Sequence, residues 1–431
     1  MKKLNVFLLL FGALSFSAFA QEEEKPVKEP VEECSYASFG IPTSAAGISF
    51  GNSKRFSGIR INVVDCGVER VDGINLTLWR ANKNSAPEVN GFSIGVFPST
   101  GDLTGYGFGL AGMVAKGNVL GITNVGLASV AGGSMKGIHN AGLAIVAEDD
   151  IYGLGQAGLA IVSGGEMKGI FLSGLANVSE GETFGINAAG LAVVSQGGMK
   201  GINFGGLAAV SQEAIYGINF GGLALISQGG LKGINVSTLA AIGQDGITGL
   251  NLSGLALVAQ EEITGLNLSG VALVAQEGIT GLNFGGAAVV SQERILGLNI
   301  SGGALVSQEN ILGLNVGGLA IVSDKANITG INASLGKIFA DNAITGLNVA
   351  GYNTETELVK GVNVNAIWSD IDMLKGLSVA GFNQINEKQY GLTIGLFNYA
   401  EDLQGVQIGL LNMVKSNPVY ARILPGVNAR F

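Results

Sequence analysis

Between Gly121 and Asp324 the chain repeats a sixteen-residue unit with no slip in length, and nothing else in it restricts the fold as strongly. Glycine opens every unit, at Gly121, Gly137, Gly153, Gly169, Gly185, Gly201, Gly217, Gly233, Gly249, Gly265, Gly281, Gly297 and Gly313. A fixed period means that one supersecondary unit is built repeatedly, and that each unit buries its apolar surface only against its neighbours. The typical unit reads GINFGGLALISQGGLK, from Gly217 to Lys232. Looser units begin at Gly58, Gly73, Gly91 and Gly105 before the regular block, and at Gly330, Gly346, Gly361, Gly376, Gly391 and Gly405 after it. Function is therefore expected in a surface made by repetition rather than in a solitary cleft.

Within a unit, apolar and β-branched residues alternate with small or polar ones, and glycine recurs too often for a helix, so each unit of about fifteen or sixteen residues is read as strand plus turn. Ile218 and Phe220 fall on one face. The alternation then fails at Gly221-Gly222, where a one-residue bulge would return Leu223 and Leu225 to that face. The other face carries Gly217, Asn219, Gly222 and Ala224, with Ile226 at its end. The end unit GLTIGLFNYAEDLQ, from Gly391, lacks the extra residue and alternates through Leu392, Ile394 and Leu396. A strand of about twelve residues, ~36 Å long and tilted by ~40°, approaches the ~25 Å apolar band of an outer-membrane barrel.

A longer period overlies the first. Lys136, Lys168, Lys200 and Lys232 precede every second glycine, and Tyr152, Phe184, Tyr216 and Thr248 precede the others. In an up-and-down meander this would gather lysines on one rim and aromatics on the other, both suited to a membrane interface. The ending LPGVNARF, with alternating Val427, Ala429 and Phe431, is like the closing strand of such barrels. The expected fold is thus all-β, an up-and-down outer-membrane-type β-barrel whose third-position asparagines, Asn203, Asn219, Asn235, Asn251, Asn267, Asn283, Asn299 and Asn315, face the lumen. The alternative is a two-sheet β-solenoid with thirty-two residues per coil, its large apolar faces buried and its asparagines stacked in ladders.

Residues 1–20 combine Lys2 and Lys3, an apolar stretch from Val6 to Leu14, and Ala18-Phe19-Ala20, the marks of a secretory signal. Residues 21–46 begin QEEEKPVKEPVEE and are expected to be an acidic, disordered leader. Residues 47–431 are expected to form one β-repeat domain, with the regular repeats over 121–324. Removing Lys2 and Lys3 from 24 basic and 33 acidic residues leaves a net charge of about −11, which argues against nucleic acid as a partner. With 47% hydrophobic residues and no apolar run long enough for a membrane helix, entry into a bilayer would require strands.

The inventory for chemistry is sparse. Cys34 and Cys66 are candidates for a disulfide in an oxidising compartment, although spacing alone does not establish one. Two cysteines and a single histidine, His139, make no zinc site, and no nucleophile and base are assembled, so no enzyme, cofactor or metal is expected. Gly153, Gly155 and Gly158 spell GxGxxG, but strand repeat follows where a dinucleotide fold needs a helix. Acidic turns such as Glu148-Asp149-Asp150 and Glu261-Glu262 read as solvated. Trp79 and Trp368 lie in irregular end units, as interface anchors or as ordinary packing.

The segments GLTIGLFNYAEDLQGVQIGLLNMV and GINLTLW resemble a family of uncharacterised bacterial surface-repeat proteins, arrays of Gly-Leu-x-Ile-Gly-Leu-x-Asn-like units. The likeness runs from Gly58 to Phe431 and is closest after Gly361; the extra glycine or serine of the central units departs from the short family unit. It implies export to the outer membrane or cell surface, with no assigned activity. The expectation is a non-enzymatic outer-membrane protein with a structural or pore-like role; the alternative is a surface-exposed adhesin or scaffold for an unknown ligand.

Overall fold

A computed structural model describes residues 34–81 and 86–431; the expected signal and residues 21–33 of the leader lie outside them. Each regular unit makes two strands rather than one. In the unit read above, a seven-residue strand, Ile215–Gly221, leads through a corner at Gly222-Leu223 into a four-residue strand, Ala224–Ser227. Both pair in parallel with their equivalents sixteen residues on: Gly217 lies beside Gly233, Asn219 beside Asn235, and Ala224 beside Ala240. Even the corner is stacked, since the Leu223 and Ala224 amides both donate to the Leu207 carbonyl, at 2.7 and 3.1 Å. One unit is therefore one coil, and the chain is an all-β repeat protein forming a β-solenoid.

This corrects the barrel. An up-and-down barrel needs antiparallel neighbours and paired first and last strands, whereas every repeat-to-repeat pairing here is parallel. The apparent bulge at Gly221-Gly222 is the corner, and it halves the strand length on which the membrane argument rested. Parity slips instead at Gly217, whose φ is +107°. Ile215 and Asn219 point inward on either side of it, while Tyr216, Ile218 and Phe220 point outward. The coil length in the alternative is also corrected, from thirty-two residues to sixteen.

The opening glycines form an axial column in which each touches the one before. A Cβ on Gly217 would sit 2.1 Å from the Gly201 carbonyl oxygen, and the same relation holds from Gly58 on Gly47 to Gly405 on Gly391. Only glycine combines this positive φ with so close an approach of two backbones, which is why the repeat opens on it without exception. Inside the coil, Ile215 stacks on Met199 and Leu231, and Leu225 on Ala209 and Ala241, within an apolar core that runs in two stretches, Val68 to Phe171 and Ala189 to Ala400, parted by the buried Asn177, Thr183 and Asn187.

The two ends are closed by antiparallel strands. Ser38–Pro42, within the stretch read as leader, pairs with Ala46–Gly51 ahead of the first parallel contact, Gly47 beside Gly58. Ile423–Arg430 folds back on the last coil, Val427 beside Ile408. Both supply a partner to a sheet edge that would otherwise offer unpaired backbone groups to another chain. The terminal Phe431, expected to close a barrel, lies 99% exposed beyond this edge strand.

Candidate functional surface

The asparagines expected to line a lumen are instead the buried spine of the solenoid. Each donates a side-chain N–H to the amide oxygen of the next: Asn203 to Asn219 at 3.0 Å, Asn219 to Asn235 at 2.9 Å, Asn235 to Asn251 and Asn251 to Asn267 both at 2.8 Å. The chain of bonds continues through Asn283, Asn299 and Asn315 and extends past the expected set, beginning at Asn187 and reaching Asn332 and Asn348. The ladder has a direction, so its first member has no donor above it, and the Asn187 Oδ1 is without a partner. Among the described residues the interior is filled by this ladder and its apolar neighbours, leaving no lumen for a pore.

A second column fastens the far turns. The serine that ends the short strand reaches back to the turn of the preceding coil: Ser227 to the Glu213 carbonyl at 2.8 Å, Ser291 to Glu277 and Ser323 to Glu309, both at 2.6 Å. Of the acidic turn residues read as solvated, Glu148, Asp149 and Glu261 are exposed, whereas Asp150 and Glu262 are half-buried and bonded, Asp150 to the Tyr152 hydroxyl and Glu262 to Arg294. No group of three or more metal-binding side chains occurs among the described residues.

With the polar groups inside, much of the bulk is outside, contrary to the solenoid alternative, which buried the large apolar faces; the barrel had turned them outward too, but toward lipid. Ile and Leu after each opening glycine form one outward row, running from Ile122 to Leu347, and the residues two places on form another that includes Leu172, Phe204, Phe220 and Phe284. The corner residue adds a ridge, Leu207, Leu223, Leu239, Leu255 and their equivalents. Ile218 and Leu223 are 48% and 44% exposed, and Phe204 stacks flat on Phe220 at 4.8 Å. Beside the corner glycines runs a shallow groove; one stretch of about 540 Å³ is lined by Leu252, Leu268, Phe284 and Ile300. Toward the N-terminal end Asn124 and Asn140 interrupt the apolar row, bonded to each other at 2.9 Å.

The thirty-two-residue alternation has a different cause from the one expected. Lysines and aromatics do not collect on opposite rims; they alternate within one outward column, with Lys136 beside Tyr152, Tyr152 beside Lys168, and Lys232 beside Tyr216. Lys136 and Lys168 lie over the Tyr152 ring at 5.3 and 5.7 Å, and Lys232 over Tyr216 at 5.2 Å. Stacking lysine on lysine at coil spacing would be repulsive, whereas a ring between them is attractive to both. The Tyr152 hydroxyl donates to Asp150 at 2.9 Å and Glu166 at 3.2 Å. Burial of the hydroxyl, then those two carboxylates, push its pKa up to about 12.

His139 occupies the asparagine position in a fully buried coil, its Nδ1 3.0 Å from the Thr123 hydroxyl and its Nε2 unpartnered. Burial pushes its pKa down to about 4 from 6.5. Unfolded, the ring protonates near pH 6.5; folded, it resists until about pH 4. The stability it contributes is thus complete above about pH 6.5 and is lost as the pH falls toward 4, about 3 kcal/mol in all. Denaturant melts at pH 7 and pH 4 should show this loss in the wild type and its near absence in His139→Asn. Equal pH sensitivity of the two would refute it.

A buried polar cluster near the N-terminal end was not legible in the repeat. Arg60 lies wholly inside, 2.5 Å from Asp65 and 2.7 Å from Asn75, and Asp65 also accepts from Thr77 at 2.6 Å. An arginine outside the regular block, with an aspartate five residues on, was the available signal. Cys34 and Cys66 are both disulfide-bonded. Trp79 meets Phe97 edge-on at 6.3 Å, and Trp368 meets Phe382 at 6.2 Å, so both pack on aromatics of the adjoining coil. Gly155 of the GxGxxG run lies against the Phe171 ring, in strand.

These features define a β-solenoid with a sealed interior and one broad apolar side. Comparison with protein-family models, curated proteins and solved structures finds no match to the chain.

Proposed function

We propose that this chain is an exported, non-enzymatic surface scaffold, a stiff rod that works by presenting a long repeated face. The observation that carries the reading is the inversion of the coil: asparagine and serine are held inside by hydrogen bonds, while Ile218, Phe220 and Leu223 and their equivalents are turned outward. Exposed apolar area of this extent on a folded protein marks an interaction surface. The N-terminal signal and the resemblance to surface-repeat proteins support export to the cell envelope. No nucleophile and base arrangement supports an enzyme, and the acidic balance supports neither nucleic acid nor any other polyanion as partner.

Solution scattering of the mature chain tests the reading. At ~4.8 Å per coil the glycine column from Gly47 to Gly405 corresponds to a rod of roughly 100 Å. A maximum dimension near that value, with the protein accessible to protease on intact cells, is the expected result. A compact particle stable only inside a detergent micelle, or retention in the cytoplasm, would overturn it.

A further inference from the structure

We propose that the apolar face docks onto the same face of a second copy of this chain, giving a paired rod. The proposal goes beyond the scaffold reading and stands on the geometry of the face.

Between the coils opened by Gly169 and Gly346 the outward rows carry no charge: Ile or Leu, then mostly Leu, Phe, Val or Ile, then the corner ridge. At ~4.8 Å per coil and with three rows across, this is a strip of ~60 Å by ~15 Å, about 900 Å² on each copy and ~1,800 Å² for a pair, the size of a standard stable interface. The largest apolar patch of an ordinary monomer is smaller.

A second copy suits the strip better than other surfaces do. Its rows recur at the same coil spacing, so ridges and grooves stay in step along the whole length, whereas a globular partner meets only a few coils. Sheets that pack face to face through interdigitated aliphatic side chains are an established solution for such surfaces. A bilayer is the weaker occupant, because membrane-surface binding through apolar area usually adds attraction to anionic headgroups. Two of the lysines beside the strip are neutralised, Lys168 by Glu166 and Lys200 by Glu182, while Lys232 lies over the Tyr216 ring, and the whole sequence has a formal charge of −9. The acidic turns, by contrast, sit across the coil from the corner ridge, so they do not oppose pairing of the two faces.

Sedimentation of the detergent-free mature chain at micromolar concentration tests this. The expected mass is that of a dimer, and Leu223→Glu with Leu255→Glu should weaken association about a hundredfold by setting carboxylates against an apolar partner. Both positions are exposed, 44% and 48%, so the variant should keep its circular dichroism and melting temperature. Gln228→Glu, on the opposite turn, should remain dimeric. A monomeric wild type, or a double variant that is folded and still dimeric, overturns the proposal. So does a monomer that sediments with vesicles of phosphatidylethanolamine and phosphatidylglycerol, which would assign the face to lipid. A monomeric rod leaves the scaffold reading intact, so the two failures are distinguishable.

Discussion

Gly249→Ala is expected to break the solenoid locally at its middle. Gly249 has φ +116°, a region that costs a residue with a Cβ about 1–3 kcal/mol. The new methyl would also lie 2.1 Å from the Gly233 carbonyl oxygen. That oxygen belongs to the parallel ladder and has no side-chain freedom with which to withdraw, so relief requires separating two coils. Together these terms exceed about 4 kcal/mol, at the upper end of what single substitutions do. Because each coil contacts only its neighbours, the damage should be local before it is global. Limited proteolysis should cut first near residues 233–265, and the thermal transition should broaden or split. The control is Gly254→Ala: its Cβ would meet the Thr238 oxygen at 1.9 Å, but its φ is not positive and threonine already occupies the equivalent corner one coil earlier. It should cost clearly less; equal damage at both sites would show that the positive φ is not what makes the opening glycine obligatory.

Asn251→Ala should be nearly as severe for a different reason. Its amide oxygen accepts from Asn235 and its N–H donates to Asn267, both at 2.8 Å in a fully buried column. Truncation orphans a donor on one side and an acceptor on the other, each costing about 1–3 kcal/mol, and adds a small cavity. A loss of about 4 kcal/mol is expected, measured by denaturant unfolding, with amide exchange rising first in the coils of Asn235 and Asn267. Asn140→Ala, which points outward, should cost under about 1 kcal/mol. If Asn251→Ala were equally mild, the ladder would be packing and not a hydrogen-bonded spine.

The all-β class, the repeat and the importance of its glycines and asparagines were legible because each is a statement about spacing. The direction in which each residue points was not. Reading Gly221-Gly222 as a bulge kept one long strand and placed Ile218, Phe220, Leu223 and Leu225 together; the corner there separates Leu225, which is buried, from Leu223, which is not. The positive φ at Gly217 shifts parity where the alternation looked intact. One clue was present: a period that never varies over the regular block. Barrel turns tolerate changes in length freely, whereas stacked coils must absorb each change in a loop or a register shift, as between Gly73 and Gly91, so an unvarying period favours the stack. The lysine and aromatic alternation misled for a related reason, since a period of two units arises both from antiparallel strands and from charge spacing in a single stack.

What the sequence by itself determined is the sixteen-residue unit, the glycine that opens it, and an amide at each third position able to bond to its own copy; that one unit makes one whole coil was decided by the stacking. Hydrophobicity in water would place Ile and Phe inside and Asn outside, and the sequence reading reverses this only by supposing a lipid exterior and a lumen. The tertiary structure reverses it by another route: a buried asparagine is satisfied when an identical neighbour lies one coil away, and that neighbour exists only once the units stack in parallel.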